Sequence, residues 1–461
     1  MYCGFFIQSK IYTSDIKDND CIIIGKAIRM KKNEINNNIN NNNLSNIGNN
    51  HVFLNNNQNM INNNSNNSFT IKNYFNFAPK VGLYDIGAAC YMNAILQCFC
   101  HIEEFVSYFK FNNNINIILN NYMKSEKYYL CPSFKILIDN LWPDDARCQN
   151  VSQRNYKPVE FKEKIYKMSN LINKNSVHDI KDCINIIIIT LHEELNLKET
   201  NNYLINNNAL NNNSNLIEVF YHFYSNFQMN YNSIISKLFY GFQMTQTTCL
   251  NCNNSQYNFQ TYFYLIFSLQ DIQKYSINKY QFQQQYILNM SNSFNINNNM
   301  NINQLNSKIL NLAKNNVNIF DCFDFNQKIE TLTNDNSIYC NNCCQLSQAN
   351  YSTKLYNTPE ILIVIFDREN DYQNIKVEFP MMLDLSNYVF DKNNFYKYKL
   401  IGVASNINIK NQNSFLIAHC LSPIDNKWYT YKDEIVTEVH DFKTEILEQG
   451  LPYLLFYQKI K

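Results

Sequence analysis

Cys90 stands at the head of a run in which apolar residues recur at Met92, Ile95, Leu96, Phe99, Ile102, Val106 and Phe109. Steps of three and four predict a helix with one buried face. Gly87-Ala88-Ala89 forms a small-residue approach to it. A thiol at a helix N-terminus feels the positive end of the dipole, which lowers its pKa and favours the nucleophilic thiolate. The chemistry on offer is attack by sulfur, although a buried structural cysteine at a helix start reads the same way from this stretch alone. Attack on an amide also needs a base, a group to orient that base, and donors for the oxyanion.

A second set of thiols points to a metal. Cys249-x-x-Cys252 and Cys340-x-x-Cys343 each present two sulfurs from one turn, which suits tetrahedral thiolate ligation of a structural zinc. With fifteen cysteines in the chain, chance alone gives roughly half a Cys-x-x-Cys pair, so spacing is suggestive only. Strand-like sequence flanks both pairs, Phe239 to Thr248 before the first and Asn350 to Tyr356 after the second. Two hairpin turns without metal are the alternative, and the adjacent Cys344 is a competing ligand.

The elements that must position these groups follow from composition and pattern. The 461 residues suffice for one large domain or two ordinary ones. A net charge of +1 argues against nucleic acid as the main partner. There is no basic segment leading into an apolar one, so the cysteines are expected to be reduced, in cytoplasm or nucleus. The most apolar run, Ile184 to Leu191, is far shorter than the ~20 residues of a membrane helix and reads as part of a buried helix, or a strand. No membrane association is expected. Residues 33–68 are mostly Asn, too poor in apolar groups to offset ordering entropy, and are expected to be disordered. Asn- and Gln-rich tracts near 201–215 and 282–318 read as loop insertions. The C-terminal third reads as strands at Ile361 to Phe366, Tyr398 to Ala404, Ser414 to Cys420, Lys427 to Tyr431 and Tyr453 to Tyr457. Helices first and an antiparallel sheet later predict an α+β architecture.

The run Gly82-Leu83-Tyr84-Asp85-Ile86-Gly87-Ala88-Ala89-Cys90-Tyr91-Met92-Asn93 closely resembles the cysteine box of the ubiquitin-specific proteases, Gly-Leu-x-Asn-x-Gly-x-Thr-Cys-Tyr-Met-Asn. Further blocks are similar to that family's and come in its order: Tyr156 to Lys162, Val177 to Asp182 running into Leu191 to Leu195, Ser233 to Gly241, Lys376 to Pro380 with Leu383 to Ser386, and Tyr453 to Tyr457. The resemblance covers roughly residues 79–461, leaving 1–78 as a largely Asn-rich N-terminal segment. It implies a papain-like cysteine protease fold with a helical thumb, a β palm and zinc-ribbon fingers. It also implies ubiquitin or ubiquitinated proteins as partners, and Asp179 as a contact for the basic tail of ubiquitin, although a helix-start carboxylate is an equal reading of Asp179.

The same resemblance shows what has changed. The family places its histidine in Gly-His-Tyr-x-Ala and its orienting Asp or Asn after a Trp in the next strand. Here the blocks are Ser414-Phe415-Leu416-Ile417-Ala418 and Trp428-Tyr429-Thr430-Tyr431-Lys432-Asp433. With Ala418 and Trp428 as anchors, Phe415 takes the histidine position and Lys432 that of the orienting group. Asp85 takes the place of the oxyanion-hole Asn. His419 shares a face with Phe415 but lies about 13 Å along the strand. Asp433 is expected to point to the face opposite Lys432, by strand alternation. Two functions are expected from these residues. One is a ubiquitin-recognising protein with an impaired protease domain, a pseudo-deubiquitinase. The alternative is an active cysteine-type deubiquitinase that cleaves the isopeptide bond at the ubiquitin C-terminus through Cys90 with a rearranged base. A scaffold that has also lost ubiquitin binding is a third possibility.

Overall fold

The helix at Cys90 is buried on every side. In the computed structural model it spans Cys90–Phe99, and all ten of its residues are buried. This differs from the single apolar face expected, and the packing gives the reason. The helix lies between the strands Lys397–Ile407, Phe415–Leu421 and Trp428–Lys432 on one side and the helix Ile180–Leu195 on the other. Phe99 closes the arrangement, with ring centroids 5.6 Å from Phe239 and 5.3 Å from Phe456. The apolar periodicity continues past Phe99, but the chain tightens at His101 and Ile102 and restarts as the helix Glu103–Phe111. The structure describes residues 70–460 apart from 88–89, 113–114, 116–128, 145–153, 169–179, 198–214, 294–315, 369–373, 393–394, 408–414 and 449–450.

Helices fill the first half of the chain. Ile180–Leu195 packs on the Cys90 helix, Cys131–Leu141 and Ile234–Phe239 pack on Glu103–Phe111, and Val159–Met168 packs on Cys131–Leu141 and Ile180–Leu195. The run Ile184 to Leu191 is the middle of Ile180–Leu195, whose buried side is Ile180, Cys183, Ile184, Ile187, Ile188 and Leu191. Glu194 of that helix accepts the backbone N–H groups of Leu130 and Cys131, at 2.7 and 2.6 Å. It thereby satisfies donors that the start of Cys131–Leu141 cannot satisfy within the helix.

The second half is a mainly antiparallel sheet. Its strands run in the order Ile435–Glu438, Trp428–Lys432, Phe415–Leu421, Lys397–Ile407, Leu451–Lys459, Ile361–Asp367, Leu265–Ser268. The short strand Met382–Asp384 pairs with Lys397–Ile407. Only the last neighbours in that order, Ile361–Asp367 and Leu265–Ser268, are parallel. Ile361–Asp367 is buried in six of its seven residues, as a central strand with both faces covered should be. A separate four-stranded sheet, Ser255–Tyr262, Gly241–Cys249, Ala349–Asn357 and Glu330–Leu332, forms an arm. A small hairpin, Ile338–Cys340 with Gln345–Ser347, carries the second cysteine pair. The architecture is the α+β one that the order of elements implied.

Ahead of residue 79, Thr70 caps the helix Ile71–Tyr74, and the Ile71 N–H donates to Ser107 Oγ at 3.1 Å. The helix Leu269–Ser293 runs well into the tract placed at 282–318, and the strand Asn316–Asn318 takes its end. The tracts 33–68 and 201–214 lie outside the described residues. Among the described residues, no helix is long and apolar enough to cross a membrane.

Candidate functional site

Cys90 meets the sheet at the start of the strand Phe415–Leu421. The backbone N–H groups of Leu416 and Tyr91 favour the thiolate there. Burial nonetheless raises the thiol above its ordinary value, and the carboxylates of Asp433 and Asp85 push it the same way. The expected dipole effect at the helix start is therefore outweighed. Desolvation and two negative neighbours hold Cys90 as a thiol.

Around Cys90 stand the carboxylates of Asp85 and Asp433 and the backbone of Leu416, the residue after Phe415. Phe415 is the first residue of its strand and pairs with Ile407. Lys432 ends the neighbouring strand, exposed, with its Nζ 5.4 Å from the centroid of the Phe415 ring. Asp85 is exposed in the loop between the strand Val81–Leu83 and the Cys90 helix. Gly87 in that loop has φ 65°, which glycine adopts without strain. Asp179 lies outside the described residues.

Asp433 corrects the reading by alternation. It follows the last residue of the strand, with φ 47°, so the two-residue period no longer applies to it. Asp tolerates this left-handed conformation better than most residues. Its side chain is buried and accepts from Asn93 Nδ2 at 2.6 Å. Burial pushes its carboxyl up to about 6, although the Asn93 hydrogen bond opposes the shift. The turn is fixed from the other side by Leu83, whose N–H donates to the Asp433 carbonyl at 2.9 Å. Gly82 permits this approach: a Cβ there would lie 2.5 Å from the Glu434 carbonyl oxygen.

Sequence reasoning also missed a polar stripe on the Cys90 helix. Asn93 donates to the Leu83 and Tyr84 carbonyls, and Gln97 donates to the Val81 carbonyl at 3.0 Å. His101 continues the series, its Nδ1 donating to the Gln97 carbonyl and its Nε2 accepting from the Tyr431 hydroxyl at 2.8 Å. The signal was present: Asn93 and Gln97, four apart in an otherwise apolar helix, share one face, and His101 follows at the same step just beyond its end.

None of three buried histidines serves Cys90. His101 is engaged as above, His192 bonds Ser233 at 2.7 Å, and His419 bonds Thr430 at 2.9 Å. Burial lowers His101 and His419 to about 4, so both are neutral. His178 lies outside the described residues.

At the far end of the arm, the sulfurs of Cys249, Cys252, Cys340 and Cys343 all lie within 4.8 Å of one another. Cys249 and Cys343 are 3.9 Å apart, and Cys252 and Cys340 3.6 Å. Four sulfurs at ~2.3 Å from one tetrahedral ion stand about 3.8 Å apart, so the four are close enough to share a metal ion. The two turns repeat one device: the residue after each second cysteine, Asn253 and Cys344, has positive φ, 56° and 53°. Cys344 is thereby directed away from the cluster, its thiol donating to the Asn341 carbonyl. Backbone N–H groups of Cys252 and Asn251 pull the Cys249 thiol down to about 6, which prepares it as a thiolate ligand.

Comparison with known proteins agrees with this architecture. Residues 81–457 match the family model described as ubiquitin carboxyl-terminal hydrolase. Ubiquitin carboxyl-terminal hydrolase 5 of Saccharomyces cerevisiae is 22% identical over 408 residues, 82% of this chain and 45% of the relative. Ubiquitin carboxyl-terminal hydrolase 10 of Arabidopsis thaliana is 29% identical over 153 residues, 32% of this chain and 16% of the relative. The chain thus spans less than half the length of these relatives. Among solved structures, the SAGA DUB module of Ubp8, Sgf11, Sus1 and Sgf73 bound to monoubiquitin aligns with a TM-score of 0.56 and 16% identity. That alignment covers 88% of this chain and 74% of the other. A likeness at this identity shows the fold.

Proposed function

Since the chain belongs to the ubiquitin carboxyl-terminal hydrolase family, we propose that it recognises ubiquitin or ubiquitinated proteins but hydrolyses them very slowly or not at all. The observation that carries the reading is the surroundings of Cys90. Phe415 stands at the strand start beside a thiol that burial and carboxylates hold protonated. A phenyl ring takes no proton, so neither thiolate formation nor protonation of the leaving amine has its usual agent. Asp85 stands in the oxyanion-hole position. Its carboxylate repels a developing oxyanion, and loss of one donor alone costs about 10²–10³ in rate.

The framework for recognition is kept. The sheet and the arm supply the binding surface, and Asp179 is the candidate contact for the basic ubiquitin tail. The four-cysteine tip holds a structural zinc, with every ligand from protein and no position for a reacting water. Reduced thiols are required for that site, which agrees with a cytoplasmic or nuclear location.

A second reading, an active deubiquitinase acting through Cys90, is favoured by the retained cysteine and by Asp433, a carboxylate that does face the site. Calorimetric titration of the full chain with ubiquitin, beside an assay with a fluorogenic ubiquitin substrate, tests the proposal. Saturable binding without turnover is expected. Absence of binding, or turnover at rates ordinary for the family, would overturn it.

A further inference from the structure

Protein contacts clamp the two cysteine turns together at the tip of the arm. Cys249 ends the strand Gly241–Cys249 and pairs directly with Ala349, the first residue of Ala349–Asn357. Just beyond it, the Leu250 N–H donates to the Gln348 carbonyl at 2.9 Å, and Asn251 Nδ2 donates to Ser347 Oγ at 3.1 Å. Ser347 ends the hairpin strand Gln345–Ser347, whose partner Ile338–Cys340 ends on the third cysteine. The first turn is therefore tied, by backbone and side chain, to the hairpin that carries the second.

Inside this clamp Cys249 faces Cys343 at 3.9 Å and Cys252 faces Cys340 at 3.6 Å, so each contact joins one turn to the other. A disulfide bond is about 2.05 Å long, and closing either pair takes roughly 1.5 to 2 Å of movement. Each pair combines a half-buried sulfur, Cys343 or Cys252, with a buried one, Cys249 or Cys340. An oxidant can reach the first, and the second stands ready to resolve it. Cys344, the fifth thiol, is exposed and turned to the Asn341 carbonyl at 3.5 Å.

We propose that the tip is a redox-exchangeable staple: a hydroperoxide converts the four thiolates into the cross-turn disulfides Cys249–Cys343 and Cys252–Cys340, with release of the metal. The thiolate of Cys252 or Cys343 attacks a peroxide oxygen, the O–O bond breaks, and a sulfenic acid and hydroxide form. The thiolate of Cys340 or Cys249 then attacks that sulfur, the S–S bond forms, and a second hydroxide leaves. Both hydroxides take protons from solvent. Each sulfur pair gives up two electrons and reduces one peroxide to two waters, so two peroxides complete the change. Metal binding needs the thiolate, so the oxidised sulfurs let the ion go as a dication. The bridged cysteines are 94 and 88 residues apart, and closing such long loops removes chain entropy from the unfolded state. The arm is thus stapled by metal when reduced and by covalent bonds when oxidised.

This exchange is independent of ubiquitin recognition and rests on the zinc reading of the tip only for the released ion. The zinc-loaded full chain is treated with hydrogen peroxide, its free thiols are alkylated, and it is digested with trypsin without reductant. Cleavage at the flanking lysines puts Cys249 and Cys252 in residues 238–274, and Cys340, Cys343 and Cys344 in residues 329–354. The two peptides should be recovered joined by two disulfides, with Cys344 alkylated, and dithiothreitol should separate them. A chromophoric chelator should read the loss of one zinc per chain in step with the joining. The oxidised chain should melt at a higher temperature than the reduced, metal-free chain. Peptides recovered apart, oxidised within each Cys-x-x-Cys turn or to sulfinic acid, would overturn the proposal, and so would a cross-link through Cys344. Zinc retained while the peptides join would overturn the exchange. A purified chain that holds no zinc removes the metal reading alone, because the joined peptides are then sought in the metal-free chain. Failure of ubiquitin binding changes neither readout.

Discussion

The tip of the arm and the head of the buried helix both depend on cysteine, and they have been treated oppositely by the sequence. At the tip, four sulfurs converge within 4.8 Å, and two turns with matching left-handed residues hold them there. At the helix head, one sulfur is retained while the positions expected to activate it hold Phe415, Lys432 and Asp85. The scaffold around that sulfur is nonetheless intact: Asn93 and Gln97 still tie the strand Val81–Leu83 to the helix. Structure has been preserved at both ends and conventional chemistry at neither, since the tip offers no open coordination position. That combination is what the proposed role in binding rather than hydrolysis expects.

The largest effect should come from the metal half of that comparison. Structural zinc sites contribute folding energy directly, so a chelator should cost several kcal/mol and lower the melting temperature markedly. Elemental analysis should find one zinc per chain, and a Cys252→Ser/Cys340→Ser double variant should contain none. A metal-free protein whose melting is insensitive to chelators would break the comparison at this end.

Asp433 gives the next effect. Its carboxyl sits at about 6 in the fold, above the ordinary 3.8. A carboxyl raised in this way contributes its stability fully below the unfolded value, and that contribution is lost as pH rises through about 6. Asp433→Asn removes the titration but keeps an acceptor for Asn93. Relative to the parent, it should gain up to roughly 3 kcal/mol between about pH 4 and about pH 7, read by urea unfolding. A pH-independent difference would place the Asp433 carboxyl in water.

Cys344→Ser should do least. The side chain is exposed and faces Asn341, outside the sulfur cluster. Zinc content should be unchanged and stability within about 0.5 kcal/mol of the parent. Loss of zinc would mean that the second turn binds in another register.

How far the sequence could be read varied from one part of the chain to another. The sheet strands were legible because β-branched and aromatic runs between polar turns carry a local signal: Ile361–Asp367 and Phe415–Leu421 fall within a residue of their expected ends. The cysteine pairs were legible because two short turns suffice to define them. The burial of the Cys90 helix on all sides was not, since the sheet that covers its second face is more than three hundred residues away in sequence. Asp433 was misjudged for a related reason. Alternation describes a strand, and the strand ends one residue before it. Lys162 of the helix Val159–Met168 is buried, and nothing in a helix that also holds Glu160, Lys164 and Lys167 marks which charged residue turns inward.

The central claim is that the replaced groups, and not the fold, limit hydrolysis. It is tested most directly by turnover of a fluorogenic ubiquitin substrate by the full chain, its Cys90→Ala variant, and the triple variant Phe415→His/Lys432→Asn/Asp85→Asn. The account predicts no turnover by the parent above that of Cys90→Ala, and a gain of at least about 10² in the triple variant, since an oxyanion donor and a base return together. Turnover by the parent at rates ordinary for the family, abolished by Cys90→Ala, would contradict it.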